Sequence, residues 1–317
     1  MKKILFICFA LCSYLHSNAQ RGSADVDAQK IVLNVYIPQQ SETIPTPAKG
    51  MLSNKLAQIA TVNGMAGGNS DERFIITSNV VVTDKNITST APTMVALTLE
   101  VSFYIGDGID GIKFAGTSIN VKGVGTNEAK AYISAFKNIN PDNPDLQRFV
   151  QSGKARIVEY YRLHCDQLIA KAQGLANQKK YDEALYNLTS VPEVCQDCYV
   201  KSINAVTPIY KREIDDNCQI QLAKAKSAWA ANQNIDGANA AGDIISTIDP
   251  GAAGYKNVIA FIAEITKKIK ENDDREWAYQ VKQQKQDDDV IKAARDIGVA
   301  YAANQPSYSY NIVGWFD

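Results

Sequence analysis

Histidine is almost absent from this sequence. The 317 residues contain two, and one of them, His16, falls in an apolar leader. With His164 as the only other imidazole, Ser–His–Asp triads and histidine-rich zinc hydrolase centres have almost no material. Neither an H-E-x-x-H nor a G-x-S-x-G string occurs. An excess of one charge is missing too. Setting aside Lys2 and Lys3 of the leader leaves 31 basic against 34 acidic residues, which gives no electrostatic footprint for nucleic acid or an anionic membrane surface. Long hydrophobic runs are also lacking. The one apolar stretch, Ile4 to Leu15, is broken by Ser13 and falls well short of the roughly 20 residues that a membrane-spanning helix needs.

What that stretch does fit is a signal peptide. Lys2 and Lys3 make a positive start, the apolar run follows, and Ser17-Asn18-Ala19 puts small residues at a cleavage point, with Gln20 as the expected new N-terminus. Cys8 follows Ile7 and Cys12 follows Leu11, so neither has the small preceding residue that lipidation requires. The expectation is an exported chain, in the periplasm, at the outer membrane or outside the cell, with membrane association only through a partner. In that compartment the four cysteines left after cleavage, Cys165, Cys195, Cys198 and Cys218, are candidates for disulfides.

Two hydrophobic periods divide the rest. Residues 20–140 read as an α+β domain: an N-terminal antiparallel sheet with helices on one face. Ile31–Ile37, Arg73–Thr83, Met94–Ile105 and Lys113–Val124 read as strands. The third is the clearest, with Val95, Leu97, Leu99, Val101, Phe103 and Ile105 alternating with more polar residues. Thr46-Pro47 reads as a cap and first turn, opening a helix that ends near Gly64. A second helix is expected over Asn127–Ile139, with Thr126 as its cap. Residues 141–303 carry helical periodicity, and Asn257–Tyr301 reads as one long helix whose charged middle, from Lys267 to Asp289, projects into solvent or lies on a partner. Residues 304–317 form an aromatic tail. In it Tyr308, Tyr310 and Ile312 alternate before Trp315 and Phe316, candidates for docking either on the chain itself or on a partner, by strand addition or aromatic anchoring.

The helical part repeats. Cys165-DQLI-AKAQ followed by Asn177-Gln is echoed by Cys218-QIQL-AKAK followed by Asn232-Gln, at spacings of 53 and 55 residues, and each copy reads as helix, tight turn, helix. The first copy, about residues 165–195, resembles a tetratricopeptide repeat. Ala172, Leu175, Tyr181, Ala184 and Leu188 stand at that family's packing positions, and Lys180-Tyr-Asp-Glu-Ala184 is typical of its second helix. The second copy, 218–250, is weaker: Ile235 replaces the tyrosine, and the period exceeds the family's 34 residues. The resemblance implies a peptide- or protein-binding scaffold and no chemistry.

Three short strings resemble chemical motifs. Cys195-Gln-Asp-Cys198 is a C-x-x-C at a helix start, without the βαβ context of a thioredoxin. At about 1.5 Å per residue, a chain running down from Cys165 and back reaches the height of Cys165 again near this pair, so Cys165 is expected to bridge to Cys195 or Cys198. Zinc held by Cys165, Cys195, Cys198 and either His164 or Cys218 is the alternative. Gly106-Asp-Gly-Ile-Asp-Gly111 matches G-x-G-x-x-G, but a strand follows it rather than a helix, so it reads as a hairpin loop. Gly123-Val-Gly125 leads from a strand into a helix and also reads as a plain loop. No catalytic, cofactor-binding or metal residue is assigned. The function expected is an exported, non-enzymatic binding or scaffold protein of a cell-envelope assembly, with a protein partner or self-association. The alternatives are a hydrolase with a carboxylate site between the domains, and a thiol redox or metal protein using Cys195 and Cys198.

Overall fold

A computed structural model describes residues 31–39, 43–67, 73–273, 277, 287–304 and 310–316. The expected signal peptide and Tyr308 lie outside these residues. The chain is α+β and divides into two compact units. One runs from the first described residue to Leu163 and also takes in Pro192–Tyr199 and the tail. The other holds His164–Val191 and the described residues from Val200 to Asn304.

In the first unit, β1 (Asn34–Tyr36), β2 (Phe74–Ile87), β3 (Val95–Asp107) and β4 (Ile112–Gly125) form a sheet in that order. β2, β3 and β4 are an antiparallel meander. β1, however, pairs parallel to β2, with Val35 opposite Ile76. The wholly antiparallel sheet expected from sequence is therefore corrected at its first strand. The reason is α1 (Thr46–Val62), inserted between β1 and β2, which carries the chain back to the starting end so that β2 begins alongside β1.

The alternation in β3 puts Leu97, Leu99, Val101, Phe103 and Ile105 on a buried face. Three helices cover it. α1 contributes Ala48, Leu52, Leu56 and Ile59. Thr46 is the first helical residue rather than the cap, which is Pro45. α2 (Glu128–Lys137) is capped by Asn127, not Thr126: the Asn127 side chain accepts a hydrogen bond from the Lys130 amide. α2 lies directly on Gly123, where an added Cβ would come within 2.2 Å of the Ala131 carbonyl oxygen. The Gly-Val-Gly string is thus a helix-packing surface. The start of α3 (Pro144–Asn177) completes the layer with Leu146, Phe149, Val150 and Ile157, the last three lying three, four and eleven residues beyond the first. Phe149 meets Phe103 at 6.5 Å between ring centroids.

The second unit contains the rest of α3, then α4 (Tyr181–Thr189), most of α5 (Gln196–Ala231), α6 (Ile235–Ile245), α7 (Tyr255–Asp273) and α8 (Asp287–Asn304). α3 with α4, and α5 with α6, are two helix–turn–helix hairpins, each turn falling at the Asn-Gln of the sequence repeat. In the first turn Lys179 adopts a left-handed φ of 61°. The single helix expected over Asn257–Tyr301 is corrected, because Trp277 lies outside any helix. Its indole is buried and donates to Asn239 Oδ1 at 3.3 Å, so this charged stretch has an apolar anchor. α8 packs on α4, with Gly298 against Thr189 and the Tyr301 ring tilted against Tyr186 at 5.6 Å between centroids.

Candidate interaction sites

The tail docks on its own sheet. Trp315 is 2% exposed. Its ring occupies the space that a side chain at residue 106 would need: a Cβ on Gly106 would lie 2.2 Å from Trp315 Cη2. A Cβ on Gly108 would strike the Tyr310 ring at 2.3 Å, and one on Gly111 would strike Asn311. Gly111 also takes a φ of 74°, which favours glycine. The G-x-G-x-x-G string is a hairpin turn, as its context predicts, and its three glycines form a cradle for the tail.

Polar contacts pin this arrangement. Trp315 Nε1 donates to the Gly111 carbonyl at 3.0 Å, the Asn311 amide to the Gly108 carbonyl at 2.7 Å, and Lys113 Nζ to the Trp315 carbonyl at 3.0 Å. Tyr310 stands edge-on to Tyr36, and Phe316 lies 5.3 Å from Tyr104. The described tail is a turn rather than a strand. Ile312 is half-buried, and Val313, at its apex, is 89% exposed.

The hairpin is braced from below by Arg73, which has no exposed surface. Its Nε donates to Asp107 Oδ2 at 2.5 Å and its Nη2 to Asp110. Asp107 Oδ1 in turn accepts the amides of Ile109 and Asp110. Burial pushes the Asp107 carboxyl above the usual carboxylate range, while the Arg73 guanidinium opposes that rise. Nothing in the local sequence marks Arg73 as a core residue, because its partners lie 34 and 37 positions away.

Of the four cysteines, Cys165 is bridged to Cys198, while Cys195 and Cys218 are free and buried. Of the two partners expected for Cys165, Cys198 in the first turn of α5 takes the bridge, and the other two candidates, Cys195 and Cys218, are left as thiols. Burial pushes the Cys195 thiol up to about 11, and burial together with Asp215 raises Cys218. Neither thiol is a ready thiolate nucleophile. No group of three or more His, Cys, Asp or Glu side chains suited to a metal ion occurs among the described residues. None of the described helices is long and apolar enough to cross a membrane.

A second site lies within the helical unit. Pro208 sits inside α5 and has no N–H to offer the Asn204 carbonyl. Beside it is an open cavity of about 270 Å3 lined by Gln173, Asn177, Ala205, Pro208, Ile209 and Arg212. Arg212 Nη2 donates to the Ala176 carbonyl at 3.2 Å and to Asn177 Oδ1 at 3.1 Å, so the first hairpin orients the guanidinium. The next turn of α5 is tied to the same corner: Asp216 accepts from Tyr181 Oη at 2.7 Å and pairs with Lys179 at 3.0 Å.

Next to Arg212, Glu213 is half-buried, and its buried Oε2 has no hydrogen-bond partner. Burial, with Asp182 adding to it, pushes this carboxyl up to about 7. A carboxyl raised in the folded state stabilises least when ionised, so stability falls as pH rises from the unfolded value near 4.5 through 7. Glu213→Gln is therefore expected to stabilise the helical unit by about 2 kcal/mol at pH 8 and to change little at pH 4. Urea unfolding at the two pH values measures this directly.

No family model matches the chain, and comparisons with curated proteins and with solved structures likewise find no match.

Proposed function

We propose that this is an exported, non-enzymatic binding protein of a periplasmic or cell-envelope assembly, and that its helical hairpins hold an extended segment of a partner protein. The observation that carries this reading is the cavity beside Pro208. It offers an exposed guanidinium, two side-chain amides and an apolar floor of Ala205 and Ile209, with room for one or two side chains. The tetratricopeptide-like pattern of residues 165–195 supports the same reading, because hairpin arrays of that kind present surfaces rather than reactive groups. The raised Cys195 thiol weighs against thiol redox chemistry. Glu213, the described carboxyl with the largest resolved rise short of full burial, does not line the cavity, which weighs against a carboxylate hydrolase there.

Affinity capture from native envelopes tests the reading, using chain tagged between residues 20 and 30. Arg212→Glu reverses the charge at the cavity mouth, and loss of a defined partner from this variant, with helical content retained, is the expected result. Capture that Arg212→Glu leaves intact would reject the cavity as the binding site. Fractionation of the chain into the cytoplasm would reject export.

A further inference from the structure

β4 is an edge strand among the described residues, paired on one side with β3 alone. Which of its backbone groups face outward can be read from side-chain contacts. The Lys122 carbonyl accepts from Asn138 Nδ2 at 2.8 Å, and the Val124 amide donates to Ser134 Oγ at 3.4 Å, so even-numbered residues turn their N–H and C=O away from β3. The Phe114 carbonyl, at the bulge, is taken by Arg156 Nη1 at 2.8 Å. Between these two closures, Gly116, Ser118 and Asn120 keep the same outward parity, and all three are exposed. Edge strands are normally protected by charge, proline or a bulge. Residues 114–121, Phe-Ala-Gly-Thr-Ser-Ile-Asn-Val, carry no charge and no proline, and the register from Ala115 onward is unbroken.

We propose that β4 is a self-association edge: two copies of this chain pair antiparallel through Gly116–Asn120, with Ser118 opposite Ser118 of the second copy. The open window is symmetric about Ser118, which makes it self-complementary. In this register Gly116 faces Asn120 of the second copy, and the outward groups of the window close about six backbone hydrogen bonds. Lys122 falls opposite Phe114 and Lys113 opposite Gly123, so no like charges meet. Thr117 and Ile119, both half-buried in the single chain, come side by side across the two-fold axis. The two sheets become one of eight strands, with the closures by Arg156 and Asn138 limiting the pairing to this register. This edge is independent of the cavity beside Pro208 and does not rest on it.

Sedimentation equilibrium of the purified chain tests the pairing, with concentration-dependent dimer as the expected result. Ser118→Pro removes the central outward N–H and leaves the backbone ladder to β3 in place, losing toward β3 only the exposed hydroxyl contact with Ser102 Oγ at 2.9 Å. Ser118→Ala loses that contact alone and is the control, so Ser118→Pro is expected to weaken the dimer at least tenfold relative to Ser118→Ala while the two sheet units melt alike. Independently, Ser118→Cys carrying a nitroxide places two labels across the axis, within roughly 20 Å of each other, because facing residues of paired strands lie about 5 Å apart before the label arms are added. A monomer at every concentration would overturn the proposal. So would a dimer whose labels lie far apart, or one unchanged by Ser118→Pro.

Discussion

Replacing Trp315 with alanine is expected to destabilise the sheet unit by about 3–5 kcal/mol, the range measured for deleting a fully buried Trp or Phe. For a unit of this size that is a fall in melting temperature of about 10 °C. The loss is large for a residue two places from the end of the sequence, because its ring fills a slot that nothing else can fill. The indole has the Gly106 backbone on one side and a carbonyl partner at Gly111. The same slot can be spoiled from the other wall. Gly106→Val puts its side chain where Cη2 and Cζ2 of the indole now lie, and should release the tail to a similar extent. Because both substitutions act through one contact, the double variant should lose much less than the sum of the two. Differential scanning calorimetry of the four chains gives the coupling directly. Stability unchanged by Trp315→Ala would mean that the tail acts only on a partner.

Arg73→Met is the second large effect expected, at about 3–5 kcal/mol, because it strands the fully buried Asp107 without its countercharge. The penalty carries a pH signature. Asp107 is already raised by burial, and Arg73 is the main group holding it down, with the Asp110 amide assisting. Removing the guanidinium raises the carboxyl further. A carboxyl raised in the folded state loses stability as pH increases from the unfolded value through the folded one, so the Met variant should recover at pH 4 relative to pH 8. Asp107→Asn in the Met background should restore much of the loss, since an amide needs no countercharge there. Urea midpoints at the two pH values measure both. A Met variant whose deficit is the same at pH 4 and pH 8 would show that Arg73 acts by packing alone.

Both effects were invisible locally. The alternation from Val95 to Ile105 states which side chains go inside, and the structure places each of the inner ones as the period demands. The turn reading of Gly106–Gly111 follows from a strand on either side. What no local pattern carries is the occupant of a surface. Trp315 and Gly111 are 204 positions apart, and no period in either segment points to the other. Arg73 reads as a polar residue at a strand start, and only the convergence of two aspartates from the hairpin makes its burial affordable.

The sequence by itself determined the class of the chain: strands then helices, and the hairpin turns at Asn177-Gln178 and Asn232-Gln233. These follow from period, turn residues and composition, which act over a few residues. The tertiary structure alone decided that β1 runs parallel to β2, that Cys165 takes Cys198 rather than Cys195, that α8 packs on α4, that Trp277 interrupts the last helices and that the aromatic tail folds back onto three glycines. Each depends on which surfaces remain uncovered once the local elements have formed. That is settled by shape, by buried charge and by the hydrogen bonds left to satisfy, and these exist only after distant segments meet.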